Sequence, residues 1–197
     1  ASGKVITAVG NDSDTAYAAA VQADGKILVA GASHSLAGDP DFAVLRYNAN
    51  GNLDTSFNNT GKVVTQFGTS TDSIQGLAIQ SDGKIVAAGF SFVGSTEDFA
   101  VARYNTNGSL DTSFNGTGKV LTPVGTGADG GNSVAIQPDG KIVVAGQIAG
   151  GGAHFDFGVV RYTPTGALDT SFNGTGKVIT PISANDDYGR EVAIQSD

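Results

Sequence analysis

The stretch that decides the fold runs from Ser133 to Ala145 and reads Ser-Val-Ala-Ile-Gln, then Pro-Asp-Gly, then Lys-Ile-Val-Val-Ala. Two runs rich in β-branched residues enclose an Asp-Gly pair, which is the strongest short signal for a β-hairpin. We expect a type I′ turn here, since that turn needs positive φ at both central residues. The pair recurs at Asp24-Gly25 and Asp82-Gly83, so the sequence predicts this hairpin three times.

The hairpin belongs to a repeat. Gly-Lys followed by an apolar run occurs at Gly3, Gly61, Gly118 and Gly176, which lie 58, 57 and 58 residues apart. Each unit predicts four short strands, a to d: the hairpin supplies a and b, a run such as 157–162 supplies c, and the run after Gly-Lys supplies d. Strand b is apolar on both faces, so both faces of each sheet must be covered. Four-stranded sheets packed face to face are the blades of a β-propeller.

The chain is therefore predicted to be all-β, with three complete blades of four antiparallel strands at 16–67, 74–124 and 132–182. A lone strand d at 3–7 precedes them, and a partial blade at 189–197 supplies only strand a. We interpret 1–197 as a single repeat domain or as a segment of a longer propeller or array. Its open blade edges are expected to pair with repeats of the same family or with identical chains.

Composition excludes several function classes. Net charge is −8, and the seven Lys residues are spread along the repeats, so no basic patch suggests nucleic-acid binding. There is no Cys, hence no disulfide framework or thiolate zinc site. No apolar stretch is long enough to span a bilayer, so we expect no membrane insertion.

Three recurring motifs carry a resemblance to a known family. They are Asp-Gly-Lys-Ile, then Asp-Phe-Ala-Val-x-Arg-Tyr as at 41–47, then Asn-Gly-x-Leu-Asp-Thr-Ser-Phe-Asn as at 50–58. Together they resemble the delta-60 repeat, a bacterial β-propeller repeat family, over essentially the whole chain. The resemblance implies large secreted or surface-attached bacterial proteins with tandem repeats, often beside adhesion-type domains. It therefore implies an extracellular or bacterial cell-surface location, and it implies no catalytic residues.

One recurring Arg lies on a strand face that also carries buried apolar residues, and an unpaired buried charge is very costly. Its expected partner is the equally periodic Asp in the following turn. An anion site is the alternative, but recurrence in every repeat favours a structural ion pair that locks the blade. The predicted pairs are Arg46 with Asp54, Arg103 with Asp111, and Arg161 with Asp169. The periodic Phe and Tyr residues beside them are predicted to be core or inter-blade residues, with sugar stacking as the alternative.

A second periodic series of Asp residues occupies the loops between strands d and a. Carboxylates with nearby Asn and Ser can bind Ca²⁺, although the spacing of a dedicated calcium loop is missing. Caps or Asx-turns at the strand entry explain one Asp per loop equally well. The possible metal residues are Asp14, Asp72, Asp129 and Asp187; no other cofactor is indicated.

The loops between strands b and c differ from repeat to repeat. Insertions on repeat scaffolds map to one face, which is often the binding face. Phe90, Phe92, Phe155 and His154 lie outside the repeat register, and they are the candidates for contact with a partner or ligand. The alternative is that they only cover the blade ends.

No nucleophile with a positioned base is present, so no catalytic residue is predicted. We expect a non-enzymatic extracellular scaffold or adhesion module, completed by further repeats or by chain–chain assembly. A lectin-like propeller with one weak glycan site per blade is the second hypothesis. An uncharacterised hydrolase- or lyase-type propeller ranks last.

Overall fold

The chain folds into three separate four-stranded antiparallel sheets, as the repeat predicts. A computed structural model describes residues 3–34, 38–149 and 154–195, and these residues contain strands and turns without a helix that could cross a membrane. Blade 1 consists of β1 Asp14–Val21, β2 Ile27–His34, β3 Pro40–Tyr47 and β4 Lys62–Thr65. Blade 2 consists of β5 Asp72–Ile79, β6 Ile85–Val93, β7 Thr96–Tyr104 and β8 Lys119–Thr122. Blade 3 consists of β9 Asp129–Ile136, β10 Ile142–Ala149, β11 Phe155–Tyr162 and β12 Lys177–Thr180. Neighbours in sequence are neighbours in each sheet.

The Asp-Gly pairs form the predicted hairpins through a different turn. Only the Gly residues have positive φ, 81° at Gly25 and at Gly83 and 82° at Gly140, so the turn is not type I′. The amide of Gly25 donates to the carbonyl of Gln22, and the amide of Gln22 donates to that of Lys26. This is a type I turn closed by a glycine in the left-handed region, which spares the Asp that strained conformation.

The blades stack face to face in chain order. We call the face that looks toward the next repeat the forward face, and the opposite one the back face. At the first interface, Phe42 and Val44 of the forward face pack with Tyr104 of the next back face, and all three are fully buried. One repeat later Phe99 and Tyr162 occupy the matching positions of the second interface. Only blade 2 therefore has both faces covered by neighbouring blades.

The lone terminal strands also differ from the prediction. Residues 3–13 and 181–195 carry no strand assignment, although strand d was expected at 3–7 and strand a at 189–197. A strand exists only as one side of a hydrogen-bonded ladder, and neither segment has a partner strand in the described residues. Residues 196 and 197 lie outside the described residues. The observed blades span 14–65, 72–122 and 129–180, each slightly earlier than predicted.

Candidate functional site: the junctions between blades

Each blade carries one Arg–Asp ion pair beside its outer strand, buried in blades 1 and 2 and partly exposed in blade 3. The Nε of Arg46 donates to Oδ2 of Asp54 over 2.8 Å, and the pairs formed by Arg103 and by Arg161 have the same length. The Arg lies on β3, β7 or β11, and the Asp lies in the turn that follows. Two backbone hydrogen bonds of Arg46 hold the turn against the strand: Asp54 N donates to Arg46 O, and Arg46 N donates to Gly61 O.

The Ser two residues after each Asp completes the site. Its hydroxyl donates to the other carboxylate oxygen at 2.6, 2.7 and 2.7 Å in the three copies. At Asp111, burial opposes ionisation, but hydrogen bonds from Ser113 and Lys84 and the charge of Arg103 outweigh it and lower its pKa to about 2. The carboxylate is therefore ionised at neutral pH, which is the state that its Arg needs.

The guanidinium also reaches the next blade. Arg46 Nη1 donates to the carbonyl of Thr106, and Arg103 Nη1 donates to that of Pro164, each over 2.5 Å. These contacts join the end of one repeat to the c–d turn of the following one. An ion pair within a blade thereby becomes a link between blades, which the sequence spacing alone did not predict.

A Phe ring lies beneath each guanidinium. Arg46 Cζ is 4.6 Å from the ring centroid of Phe57, within the range of a cation–π contact. The ring presses against Gly108 of the next blade, where an added Cβ would lie 2.9 Å from Phe57. Gly166 has the same relation to Phe114. Two independent reasons therefore require glycine at this position: the close approach of the Phe ring, and a positive φ of 89° at Gly108 and 92° at Gly166.

Two further contacts cross each junction. Tyr104 Oη donates to Thr65 Oγ1 over 2.8 Å, and Tyr162 Oη donates to Thr122 Oγ1 over 2.7 Å. Burial raises the pKa of both phenols, so they remain neutral donors. On the surface, Lys119 Nζ donates to the carbonyl of Gln66 in the preceding repeat.

We call the Arg, Asp, Ser and Phe of one blade the junction key. The key of blade 1 is Arg46, Asp54, Ser56 and Phe57. The key of blade 2 is Arg103, Asp111, Ser113 and Phe114, and the key of blade 3 is Arg161, Asp169, Ser171 and Phe172.

The periodic loop Asp residues are used as caps. Asp72 Oδ2 accepts the amide of Phe67 at 2.7 Å, and Asp129 Oδ2 accepts those of Val124 and Gly125. The remaining members, Asp14 and Asp187, accept amides of their own loops in the same way. Within 3–34, 38–149 and 154–195, no three His, Cys, Asp or Glu side chains are grouped so as to hold a metal ion. The calcium prediction has no side-chain cluster behind it in this part of the chain.

The residues outside the repeat register form two separate groups. Phe90 and Phe92 of blade 2 pack edge to face, with centroids 6.2 Å apart. In blade 3, Phe155 packs on Tyr188 at 5.8 Å. His154 Nδ1 lies 3.4 Å from Asp186 Oδ1 in the same group.

The sequence predicted only two members of the Phe155 group, Phe155 itself and His154. Asp186 also accepts the Phe155 amide at 2.9 Å, and Arg190 stacks on Tyr188 at 4.8 Å. Tyr188 and Arg190 stand where the second repeat has Ser73 and Gln75, so comparison of the copies was the signal that could have found them. Residues 150–153 of the neighbouring loop lie outside the described residues.

The comparison with protein families gives one match. A family model described as a domain of unknown function, the DUF5122 beta-propeller, matches residues 22–57, 80–114 and 137–172. Each matched segment runs from the Asp-Gly hairpin through strand c to the Phe of the junction key. A comparison with curated proteins finds no matching relative.

Proposed function

The chain belongs to the DUF5122 β-propeller family, and from that premise we propose that it is a non-enzymatic extracellular scaffold or adhesion module. One observation carries the proposal: the periodic charged and aromatic side chains are engaged in holding blades together. In the first two junction keys the Arg and Phe contact the following blade, and Tyr104 and Tyr162 contact the preceding one. Side chains that hold blades together in this way favour a structural role over a catalytic one.

The location of the module is part of the proposal. The resemblance to surface-attached bacterial repeat proteins supports an extracellular or cell-surface position. Blades 1 and 3 each have a face that no neighbouring blade covers in the described residues, and these faces support assembly with repeats of the same family or with identical chains. The scattered Lys residues, mostly paired with nearby Asp or backbone carbonyls, offer no nucleic-acid surface.

The location is tested on intact bacterial cells that produce the protein. Cells are treated with an impermeant protease, and the chain is followed with an antibody raised against it. We expect the chain to be cleaved on intact cells while a cytoplasmic marker survives. Protection of the chain until the cells are lysed would contradict the extracellular assignment.

Adhesion is tested with beads that carry the purified chain. Beads are washed over a layer of the same bacterial cells, and bound beads are counted against beads carrying an unrelated protein of similar charge. The matched control carries Asp111→Ala, which breaks a junction key. We expect retention by the intact chain and loss with the variant; equal retention of all three bead types would rule out an adhesive role.

A lectin-like glycan-binding function is the second candidate, and the group around Phe155 favours it. This group combines an aromatic pair with a carboxylate, an imidazole and a guanidinium on an exposed surface. Aromatic faces beside such polar groups suit sugar rings. A glycan array probed with and without Ca²⁺ tests it, using Tyr188→Ala beside Tyr17→Ala, a substitution of another exposed Tyr. Binding that Tyr188→Ala abolishes and Tyr17→Ala preserves would support this function; a blank array would remove it.

A further inference from the structure

The third junction key is assembled, but no blade of the described residues covers it. Arg161 and Asp169 form the same 2.8 Å ion pair as the other copies, yet the Arg161 side chain is 18% exposed, against 6% for Arg46 and 5% for Arg103. Phe172 is half-buried, whereas Phe57 and Phe114 are fully buried. In the described part of the chain, Arg161 has Asp169 and Ser171 as partners and no carbonyl of a further turn.

The rest of this face shows the same difference. Phe157 and Val178 are half-buried, and Thr180 is exposed, although Phe99 and Thr122 at the matching positions of blade 2 are buried. We call the surface formed by Phe157, Val159, Arg161, Phe172, Val178 and Thr180 the open face. Its residue types match those of two forward faces that are covered in this molecule.

The terminal segment already occupies the place of a fourth blade's first strand. Gly189 N donates to the carbonyl of Gly146, and Asn132 Nδ2 donates to the carbonyl of Gly189 over 2.9 Å. At the preceding junction Gly131 approaches the carbonyl of Gly89 in the same way, with an added Cβ 3.0 Å from that oxygen. The loop before it is capped by Asp187, as the earlier loops are capped by their own Asp.

We propose that the open face binds strands b, c and d of a further repeat of this family, which complete a fourth blade on the segment at 187–195. The inference rests on the scaffold function and names its partner. Three features of the incoming repeat follow from the covered junctions. A backbone carbonyl in its c–d turn accepts Arg161 Nη1, a Gly two residues later receives the Phe172 ring, and a Tyr at the end of strand c reaches Thr180.

A second copy of this chain fits the open face less well. Its first blade would have to bring the back face lined by Leu45 and Tyr47, where a cavity of about 380 Å³ lies beside Val5 and Val9. Residues 3–9 already line that face and are tied to it, since Lys62 Nζ donates to the carbonyl of Ala8. In a covered junction this place belongs to the outer strand of the preceding blade, so β12 of one copy and residues 3–9 of the other would compete for it. Segment 187–195 would compete with β1 in the same way.

The test extends the full chain by the missing strands. A copy of residues 83–122 is attached after Asp197, in register because Ser196-Asp197 repeats Ser81-Asp82. Amide hydrogen exchange is measured for 177–180 and 187–195 with and without the extension. We expect exchange in both segments to slow by about tenfold or more, because these amides enter ladders or become buried. The matched control extension carries Gly108→Leu in the appended copy, whose side chain meets the Phe172 ring, and it should lose most of this protection.

Each other outcome counts against the inference. Unchanged exchange at 187–195, or an appended segment that exchanges like an unfolded chain, shows that the open face does not bind strands b to d. Equal protection by both extensions shows that the junction key does not recognise the incoming turn. If amide exchange at 177–180 and 187–195 in the unextended chain slows as its concentration rises, a second copy of the chain occupies the open face instead. Intact β10 and β11 exchange confirms that blade 3 itself is folded, and the protease test on cells judges the scaffold function separately.

Discussion

Arg103 and Arg161 occupy the same position in consecutive repeats and make the same ion pair, but only one of them lies between blades. Arg103 also donates to the carbonyl of Pro164, and its Phe114 lies under Gly166. Among the described residues, Arg161 has hydrogen bonds only to its own Asp169 and Ser171, and the Phe172 ring beneath it is half-buried. The difference shows that the pair forms locally, within one strand and its turn, while its burial comes from the neighbouring repeat. Matched variants at the two positions therefore separate the two contributions.

The largest effect is expected for Asp111→Ala compared with Asp169→Ala. Removal of Asp111 leaves Arg103 buried without its counter-ion, which costs about 3–5 kcal/mol. Removal of Asp169 leaves an Arg161 that water can already reach, so we expect a smaller loss of stability. Urea denaturation followed by circular dichroism measures both losses. Equal losses would mean that the neighbouring blade does not set the burial of the key.

Phe114→Ala compared with Phe172→Ala comes close behind. A fully buried Phe ring replaced by Ala typically costs about 3–5 kcal/mol. The half-buried Phe172 has less surface to lose, and we expect about 1–2 kcal/mol. The midpoints of urea unfolding give the comparison, and a loss at Phe172 as large as that at Phe114 would contradict it.

A smaller effect is expected for Gly108→Ala compared with Gly51→Ala. Both glycines have positive φ, 89° and 86°, so each substitution carries about 1–2 kcal/mol of backbone strain. The added Cβ at 108 also meets the Phe57 ring at 2.9 Å, whereas at 51 its nearest neighbour is Val5 Cγ2 at 3.3 Å. We expect Gly108→Ala to lose about 1 kcal/mol more. Thermal melts of the two variants measure this difference, and identical melting temperatures would show that Phe57 moves aside freely.

The last comparison concerns acid. The pKa of Asp111 is about 2 in the folded chain and 3.8 as its reference value. A depressed carboxylate pKa stabilises the fold above the reference value, and this stabilisation is lost as the pH falls toward 2. We therefore expect the stability gap between the wild-type chain and Asp111→Asn to be constant above about pH 5 and to shrink between pH 4 and pH 2. Urea midpoints across this range give the gap; one that widens in acid would contradict the assignment.

The sequence predicted the blades because the repeat shows each strand several times over. Both partners of each ion pair were also predictable, since an Arg on a buried strand face needs an anion and the equally periodic Asp54 lies in the turn that follows. The third acceptor of Arg46 was not predictable from the sequence. It is the backbone carbonyl of Thr106, and every residue type has such a carbonyl. The role of Gly108 was hidden for a similar reason, since a glycine in a turn already has a local explanation.

The terminal segments mark the same boundary. Their residue pattern predicts strands at 3–7 and 189–197, and the pattern is that of true strands elsewhere in the chain. Neither segment forms a strand in the described residues, because neither has a neighbouring strand to pair with in a hydrogen-bonded ladder. Local sequence determines whether a segment is able to be a strand, and only the assembled sheet determines whether it is one.

By itself, the sequence determined the four-stranded unit, the position of its hairpin turns and the Arg–Asp pairs, because each depends on residues within one repeat. The tertiary structure alone decided which keys are buried, which glycines must remain glycine and where the chain presents an open face. These properties depend on the distance between one blade and the next. That distance is set by packing across an interface, and no periodicity within a single repeat encodes it.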